Sequence, residues 1–394
     1  MYDAIVIGAG PSGSSAALAL RGQGRSVAII EASEFPRRKV CGEFMSAVNL
    51  ELLDRLKAGV AVRAKAGPEV KRVGLFASGP GIIAGMPRAA GNAFGRALGR
   101  DVLDGILLDT ARNAGADVFQ PWRAVEIASN GDRAIVRIAN REGQTSLSGQ
   151  VVIAAHGSWG QGRLPTNLQK SSAASDLFGF KAHFRGASLA RDLMPLLVFP
   201  GGYGGMVWAD QDRISLSCCI RRDVLTRLRK EGGAMSAAQA VHAHMLASCP
   251  AAVSTIGDAS LEGEWLAAGP IRPGMRPRFA DDIFRVGNIA GESHPIIAEG
   301  ISMALQSSWL LAGELARFEQ WDRTARIAVG KRYSKAWSRQ FATRIHAAAL
   351  LARIAVLPNS NTAMKAFVGW FPNSLTLGAR LSGKTKALPA LSHP

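Results

Sequence analysis

The sequence predicts an α/β protein: a dinucleotide-binding βαβ unit on a parallel sheet, interleaved with a second lobe of mixed strands and followed by a helical C-terminal region. Three observations carry this. A short apolar run, Tyr2–Ile7, ends in glycines and leads into an alanine-rich stretch, Pro11–Arg21, and then a second apolar run, Ser26–Ile30. Late in the chain the strand-then-glycine character returns, in Asp282–Val286 followed by Gly287–Gly291. Between them, from about Ser171 to Ala280, strand-like segments are irregular, as expected of a separate lobe.

Taken in order, Tyr2–Ile7 reads as a buried strand ended by glycine. Pro11–Arg21 reads as a helix of small residues, punctuated by Gly22 and Gly24, and Ser26–Ile30 as the next strand, which makes the pair parallel. Arg100–Asn113 places Leu103, Leu107, Leu108 and Ala111 on one helical face, with Gly115 as the stop. Ala124–Ala155 reads as a meander with a hairpin signal at Asn130-Gly131, alternation in Ala134–Ile138 and an apolar strand Val151–Ala154. One helix is expected near Ala237–Leu246 and another at Ile301–Arg317.

Composition bounds the function. The chain has 394 residues, 47% hydrophobic and 20% charged, which excludes a disordered, collagen-like or low-complexity chain. Four cysteines are too few and too scattered for a disulfide framework or a zinc motif, so a reducing, cytoplasmic setting is expected and no metal site. Cys218 and Cys219 are adjacent on a strand and point apart, and His242 and His244 at i, i+2 on a helix do the same. No apolar run reaches the ~20 residues that span a bilayer. Ile345–Leu357 comes nearest, but His346 and Arg353 break it and Pro358 stops it. A secretory signal is not expected either, because Asp3 stands where a basic segment belongs.

Gly8-Ala9-Gly10-Pro11-Ser12-Gly13 fits the G-x-G-x-x-G pattern, and Glu31 closes the next strand 18 positions after Gly13. Gly8 allows the tight turn, Gly10 lets backbone approach a pyrophosphate, and Gly13 lets helix and strand pack closely. The helix start offers free N–H groups and partial positive charge to phosphates. Glu31 suits ribose hydroxyls.

Further motifs follow in a fixed order: Arg100-Asp101-Val102-Leu103-Asp104, then Ala155-His156-Gly157, then Val286-Gly287-Asn288-Ile289-Ala290-Gly291 with Pro295 and Glu299-Gly300-Ile301. With these the chain resembles the FAD-dependent geranylgeranyl reductases and their relatives, the aromatic hydroxylases of the p-hydroxybenzoate hydroxylase fold, over roughly residues 1–320. The resemblance implies a FAD-binding domain made of 1–67, 99–170 and 281–320, a mixed-sheet substrate domain made of 68–98 and 171–280, and a basic helical C-terminal extension, 321–394. It implies FAD held by Gly8, Gly10, Pro11, Ser12, Gly13, Glu31, Arg100, Gly287, Asn288, Gly300 and Ile301. Gly300 and Ile301, entering a helix, fit the negative edge of a reduced flavin. Asn288 stands where relatives carry an Asp for a ribityl hydroxyl.

The likeness to the reductases is closest at Lys39-Val40-Cys41-Gly42-Glu43, where it implies Cys41 beside the flavin ring. By chemistry alone Cys41 is a proton donor, a redox thiol or a small packing residue. Glu43 and His294 join it as catalytic candidates, and Tyr203 and Trp208, in Gly201–Trp208, as substrate contacts. Relatives read Ala-Asp-Gly where this chain has His156, which leaves the electron donor open between NAD(P)H and a ferredoxin-like protein. No Trp-x-Trp-x-Ile-Pro string of the flavin halogenases occurs.

The expected function is therefore a FAD oxidoreductase that reduces a carbon–carbon double bond of a large apolar, isoprenoid or lipid-like substrate. A flavin monooxygenase acting on an aromatic or polyketide-like molecule is the alternative chemistry, and a non-catalytic flavin- or lipid-binding protein the alternative class. Net charge is +17, and Arg323–Pro394 holds 12 basic residues and no Asp or Glu. Mixed with Trp337, Phe341, Leu350, Leu351, Phe367, Trp370 and Phe371, this charge suits an anionic membrane surface, at the inner face of the membrane, or an acidic carrier protein. A helical tail whose Lys and Arg face water is the plain alternative. Nucleic acid is not expected, since no such motif accompanies the charge.

Overall fold

The computed structural model describes residues 1–89, 93–160, 164–168, 172–356, 368–371 and 373–386; Phe367 and Pro358 lie outside them. The first sheet contains β1 (Tyr2–Ile7), β2 (Val27–Ile30), β5 (Asp117–Phe119), the meander β6 (Arg123–Asn130), β7 (Arg133–Ala139) and β8 (Gln144–Ala154), and β15 (Ile283–Arg285). The second contains β3 (Arg72–Phe76), β4 (Ile82–Gly85), β9 (Leu177–Arg185), β10 (Leu193–Phe199), β11 (Gly202–Trp208), β12 (Ile214–Arg221) and β13 (Ser260–Ile271). Short strands β14 (Gly274–Met275) and β16 (Gly291–Glu292) pair with each other. Helices α1 (Pro11–Arg21), α2 (Arg100–Asn113), α3 (Gly300–Leu315), α4 (Arg323–Ala355) and α5 (Asn373–Leu381) matter most to the site.

In the first sheet β15, β8, β1, β2 and β5 run parallel in that order. Their residues are apolar on both faces because helices cover one side and the meander the other: Val151, Val152, Ile153 and Ala154 are all fully buried. β8 serves two partners. Its first half pairs antiparallel with β7 and its second half parallel with β1. The hairpin turn falls at Gly131, whose φ of +62° suits glycine. In the second sheet β3 lies parallel beside β10 and the remaining neighbours are antiparallel, in the order β13, β9, β12, β11, β10, β3, β4.

The predicted strands and helices fall within a few residues of those observed. The sequence reading passed over the helices at Ala47–Arg55, Gly59–Lys65, Arg222–Glu231 and Pro250–Ile256. These are short, and their apolar periodicity is too brief to stand out.

The C-terminal region departs most from expectation, because α4 is part of the main core and not an appendage to it. Val329, Tyr333, Trp337 and Phe341 are fully buried in the same apolar cluster as α1, α2 and α3. The Tyr333 hydroxyl donates to the Arg285 carbonyl at 2.9 Å. The Trp337 indole lies over Gly291, where a side chain would have no room. A buried amide chain runs from Gln340 through Gln306 to Asn49. Three of the tail's cations are internal: Arg326 clasps Asp282, Arg344 sits 3.8 Å from Glu299, and Lys384 bonds Glu299 at 2.9 Å. The basic excess is thus partly structural.

Replacing Trp337 with Ala should lower folding stability by about 3–5 kcal/mol, the cost of a large core cavity. Urea denaturation is the measurement, and a loss below about 1 kcal/mol would mean that α4 does not belong to the core.

Candidate functional site

Both sheets and the C-terminal helices enclose one large cavity of about 1080 Å³. Its lining joins the loop after β1, the residues after β2, the α2 start, the β16–α3 loop, the inner face of β11 and parts of α4 and α5. The volume is at the upper end for small-molecule sites, enough for a large cofactor together with a substrate.

The opening loop has the backbone its glycines foretell. Gly8 has φ +104°, and a Cβ there would stand 2.8 Å from the Ala155 carbonyl oxygen. A Cβ on Gly13 would collide with the Gly8 carbonyl. Gly10 differs, because its φ of −69° suits any residue and a Cβ would point into the cavity. The nearest atoms to it would be Arg100 Nη2 at 3.6 Å and Arg37 Nη2 at 3.9 Å. Two guanidinium groups therefore flank the helix start where a pyrophosphate would lie. Arg100 is held bidentately by buried Asp104, at 2.6 and 2.7 Å. Burial pulls its pKa down, but Asp104 and then the Cys41 thiol outweigh that and raise it. Lys39, on the same wall, is lowered by burial and by neighbouring Arg37.

Glu31 lines the cavity with its carboxylate already oriented. Oε2 accepts from the Ala9 N–H at 2.9 Å and from Arg37, and Oε1 accepts from the Ser33 N–H at 2.8 Å. A carboxylate has about four acceptor positions, so capacity remains for a sugar hydroxyl. The late loop meets the opening one directly. Gly287 has φ +61°, and a Cβ there would stand 2.7 Å from the Ser12 hydroxyl. The Gly287 N–H donates to Ser307 Oγ at 2.8 Å. Gly13 and Gly287 shape the loops from behind, whereas Gly8, Gly10, Pro11, Ser12, Asn288, Gly300 and Ile301 face the cavity. The residues present fit FAD: phosphate donors at one end, a helix start at Gly300 at the other, and apolar space between.

The catalytic candidates separate. Cys41 is half-buried on the cavity wall against the Arg100 guanidinium. Glu43 lines the same wall but is committed to an ion cluster. Its φ is +60°, uncommon for a residue other than glycine. Oε1 accepts from the Arg100 N–H at 2.9 Å and pairs with the Lys181 ammonium, and Oε2 contacts His183 Nε2 at 2.8 Å. Burial pushes its carboxyl up, but Lys181 and His183 win and hold it well below the usual range. A carboxyl so held is a fastening and a poor proton donor at neutral pH. His294 is not on the cavity wall; burial, and then the charge of Arg353, bring its pKa down to about 4. His156 is on the wall, contacts Thr166 Oγ1 at 2.8 Å, and is lowered by burial to about 4.

Tyr203 faces the cavity from β11, but Trp208 does not. The Trp208 indole donates to the Leu189 carbonyl at 2.9 Å, beneath the Arg191 guanidinium, inside the second lobe's own core. Five positions apart along one strand, an odd separation, the two side chains take opposite faces.

Sequence reasoning missed Lys181 and His183, which an alternation would have revealed. In β9 the apolar Phe178, Phe180, Ala182 and Phe184 share one face, which leaves Lys181 and His183 on the other, both buried. It also passed over Glu292. That carboxyl lines the cavity, and burial raises its pKa to about 7 against the opposing pull of Arg276 and Ser158. Among the described residues no cluster able to hold a metal ion occurs.

Comparisons with known proteins agree with this geometry. The profile of a family described as "FAD binding domain" matches residues 1–329. Menaquinone reductase of Mycobacterium tuberculosis is 29% identical over 154 residues, 39% of this chain and 37% of that protein. The match thus spans little more than a third of that relative's length. Digeranylgeranylglycerophospholipid reductase 2 of Methanopyrus kandleri is 26% identical over 356 residues, 86% of this chain and 83% of that one. Two solved structures share the fold across nearly the whole chain. A flavin-dependent brominase variant gives a TM-score of 0.77 at 17% identity, covering 98% of this chain and 94% of that one. A geranylgeranyl bacteriochlorophyll reductase-like protein from Thermoplasma acidophilum gives 0.72 at 19%, covering 99% and 93%.

Gly10→Ala should fold normally, since its Cβ meets nothing closer than 3.6 Å, and should take up flavin at least tenfold more weakly by filling the phosphate space. Flavin absorbance after reconstitution, beside circular dichroism, reads the two effects separately.

Proposed function

The chain belongs to the FAD-binding-domain family of flavin-dependent oxidoreductases, and from that premise we propose that it reduces a carbon–carbon double bond in a large apolar, isoprenoid or lipid-like molecule. The observation that carries this reading is the cavity itself. Beyond the loops that suit FAD it continues under Leu75, Leu196 and Met206 of the second sheet and against Leu351, Ile354 and Leu375 of the C-terminal helices. A long apolar surround suits a long apolar substrate. The reductase names borne by two relatives, acting on menaquinone and on a digeranylgeranylglycerophospholipid, support the same class. Brominase likeness is a likeness of fold, and the Trp-x-Trp-x-Ile-Pro string is missing here.

When bound, the flavin supplies a hydride equivalent. The chain's own residues do the rest. Arg37, Arg100 and the α1 start would hold the phosphates, and Gly300 and Ile301 would offer backbone N–H groups at the α3 start; Cys41 lines the same cavity wall. Glu43, clasped by Lys181 and His183, fixes the loop that carries Cys41.

The test mixes reduced enzyme with O2 and, separately, supplies a geranylgeranyl lipid without O2. Expected are gain of two hydrogens per double bond in the anaerobic arm and no flavin-hydroperoxide absorbance in the other. Oxygen-dependent hydroxylation with no anaerobic product would establish the monooxygenase instead, and a flavin that neither NAD(P)H nor a reduced ferredoxin bleaches would point to a binding protein.

The same reading gives the cavity rim a partner. Leu350, Ile354, Trp370, Leu377 and Leu381 are exposed apolar residues of α4, α5 and the segment between, and Ile354 also lines the cavity. No helix among the described residues is long and apolar enough to cross a membrane. Apolar side chains in a region with cations and no acid suit an anionic membrane surface, from which a lipid could enter. The full-length protein should sediment with phosphatidylglycerol vesicles and not with phosphatidylcholine ones. Trp370→Ser should weaken that binding severalfold, and salt above the ~10 Å screening regime of 0.1 M should suppress it. Equal binding to both vesicles would defeat the idea.

A further inference from the structure

We propose that Lys384, carried by the chain just beyond α5, sets the redox poise of the flavin: with Arg344 it turns the buried Glu299 carboxylate at the α3 start into a group of net positive charge, which favours the reduced flavin. The inference rests on the flavin assignment and not on the substrate reading.

Glu299 directly precedes Gly300, at the helix start that suits the flavin's negative edge, and it is fully buried. A lone carboxylate there would work against that use. Reduction of a flavin at neutral pH adds two electrons and one proton, so the ring system gains one negative charge, and a neighbouring anion opposes the gain. Burial enlarges the opposition, because little water is present to screen it.

The C-terminal region reverses the sign. Lys384 Nζ donates to Glu299 Oε1 at 2.9 Å and to the Ile297 carbonyl at 2.8 Å. It also lies 4.8 Å from the centre of the Phe44 ring, a cation–π contact. Phe44 follows Glu43, so the ammonium stands between the loop that carries Cys41 and the loop that leads into α3. Lys384, Glu299, Phe44 and Gly300 all line the cavity. Arg344 of α4, itself buried, is 3.8 Å from Glu299 Oε2. Two cations against one carboxylate leave a single positive charge in excess.

The backbone is shaped to deliver this ammonium. Gly383 has φ +91°, a left-handed conformation that favours glycine, and a Cβ there would collide with the Arg344 guanidinium. The turn closes on one cation and sends the next side chain, Lys384, to the carboxylate. The Ser382 hydroxyl donates to the Ala379 carbonyl at 2.8 Å and fastens the turn to the end of α5. Lysine is seldom buried, and a buried ion pair contributes little net stability. Stability therefore does not account for a lysine taken out of water here, whereas charge control at a helix start does. Lys384 acts through Glu299 and the α3 start, so it is a positioning residue and not a catalytic one.

The test needs no substrate. Holoenzyme is reduced stepwise with dithionite beside a reference dye, and the two-electron midpoint potential is read from the flavin absorbance. In the native protein it should lie above that of free FAD in the same buffer, because the reduced form is bound more tightly than the oxidised one. Lys384→Gln keeps a hydrogen-bond donor and loses the charge. It should weaken binding of the reduced form about tenfold relative to the oxidised form, a fall of about 30 mV. Glu299→Gln should move the potential the other way by a similar factor, and Lys384→Arg, which keeps the charge, should stay within about twofold of native. A merely structural lysine would not produce opposite shifts in the two charge variants. Potentials of Lys384→Gln and Glu299→Gln that both stay within twofold of native, or that move in the same direction, overturn the proposal. Where the charge variants lose flavin, the native protein decides: a potential at or below that of free FAD overturns it. Anaerobic reduction of a geranylgeranyl lipid is read separately, so the reductase reading stands or falls on its own.

Discussion

Glu43 is the fastening on which the cavity depends. Its carboxylate is buried, and it joins its own loop to two other pieces of chain: the Arg100 N–H at the α2 start, and Lys181 and His183 on β9 of the second sheet. The two sheets otherwise belong to different hydrophobic cores. A buried ion cluster of this kind contributes little net stability, because desolvation offsets the attraction, but a missing partner leaves a stranded charge. Its effect is therefore on geometry. It holds the Cys41-Gly42 turn, at a left-handed Glu43 backbone, between the dinucleotide loop and the second sheet.

On the other side of the cavity a similar arrangement uses Glu299. Lys384 bonds that carboxylate and the Ile297 carbonyl, both at distances below 3 Å, just before the α3 start. Arg344 lies nearby. The C-terminal region thus supplies cations to the very loop that the resemblance assigns to the flavin's negative edge. Basic residues that look like a solvent-facing excess in composition turn out to be divided between internal pairs and an outer apolar rim. The two uses are compatible, since a segment that seals a cavity also forms its entrance.

The polar groups of the cavity are sorted by burial. Where a carboxyl has cations within bonding distance, as at Glu43, the charged form is held; where the cation stands 3.7 Å off, as Arg276 does from Glu292, desolvation outweighs it and raises the carboxyl's pKa. The phosphate end carries Arg37 and Arg100, whereas Tyr203 packs with the apolar Leu177, Ile271 and Ala352. Such a gradient suits a molecule anionic at one end and an apolar reactant at the other.

Local signals determined much of this protein. Glycines at 8, 10 and 13 and the acid at 31 announce the dinucleotide loop, because turn geometry and close backbone approach are decided within a few residues. The strands of the first sheet are legible for the same reason: they are buried on both faces and read as unbroken apolar runs. Only the tertiary structure decided which polar side chains are tools and which are fastenings. Glu43 and Glu292 are alike in sequence, yet one meets Lys181 and His183 from a distant strand and the other stands 3.7 Å from the Arg276 guanidinium. Trp208 turns into a core while Tyr203 faces the cavity, and α4 packs inward although its composition reads as a basic tail. Burial and partner distance set these outcomes, and both depend on which remote segments the fold brings together.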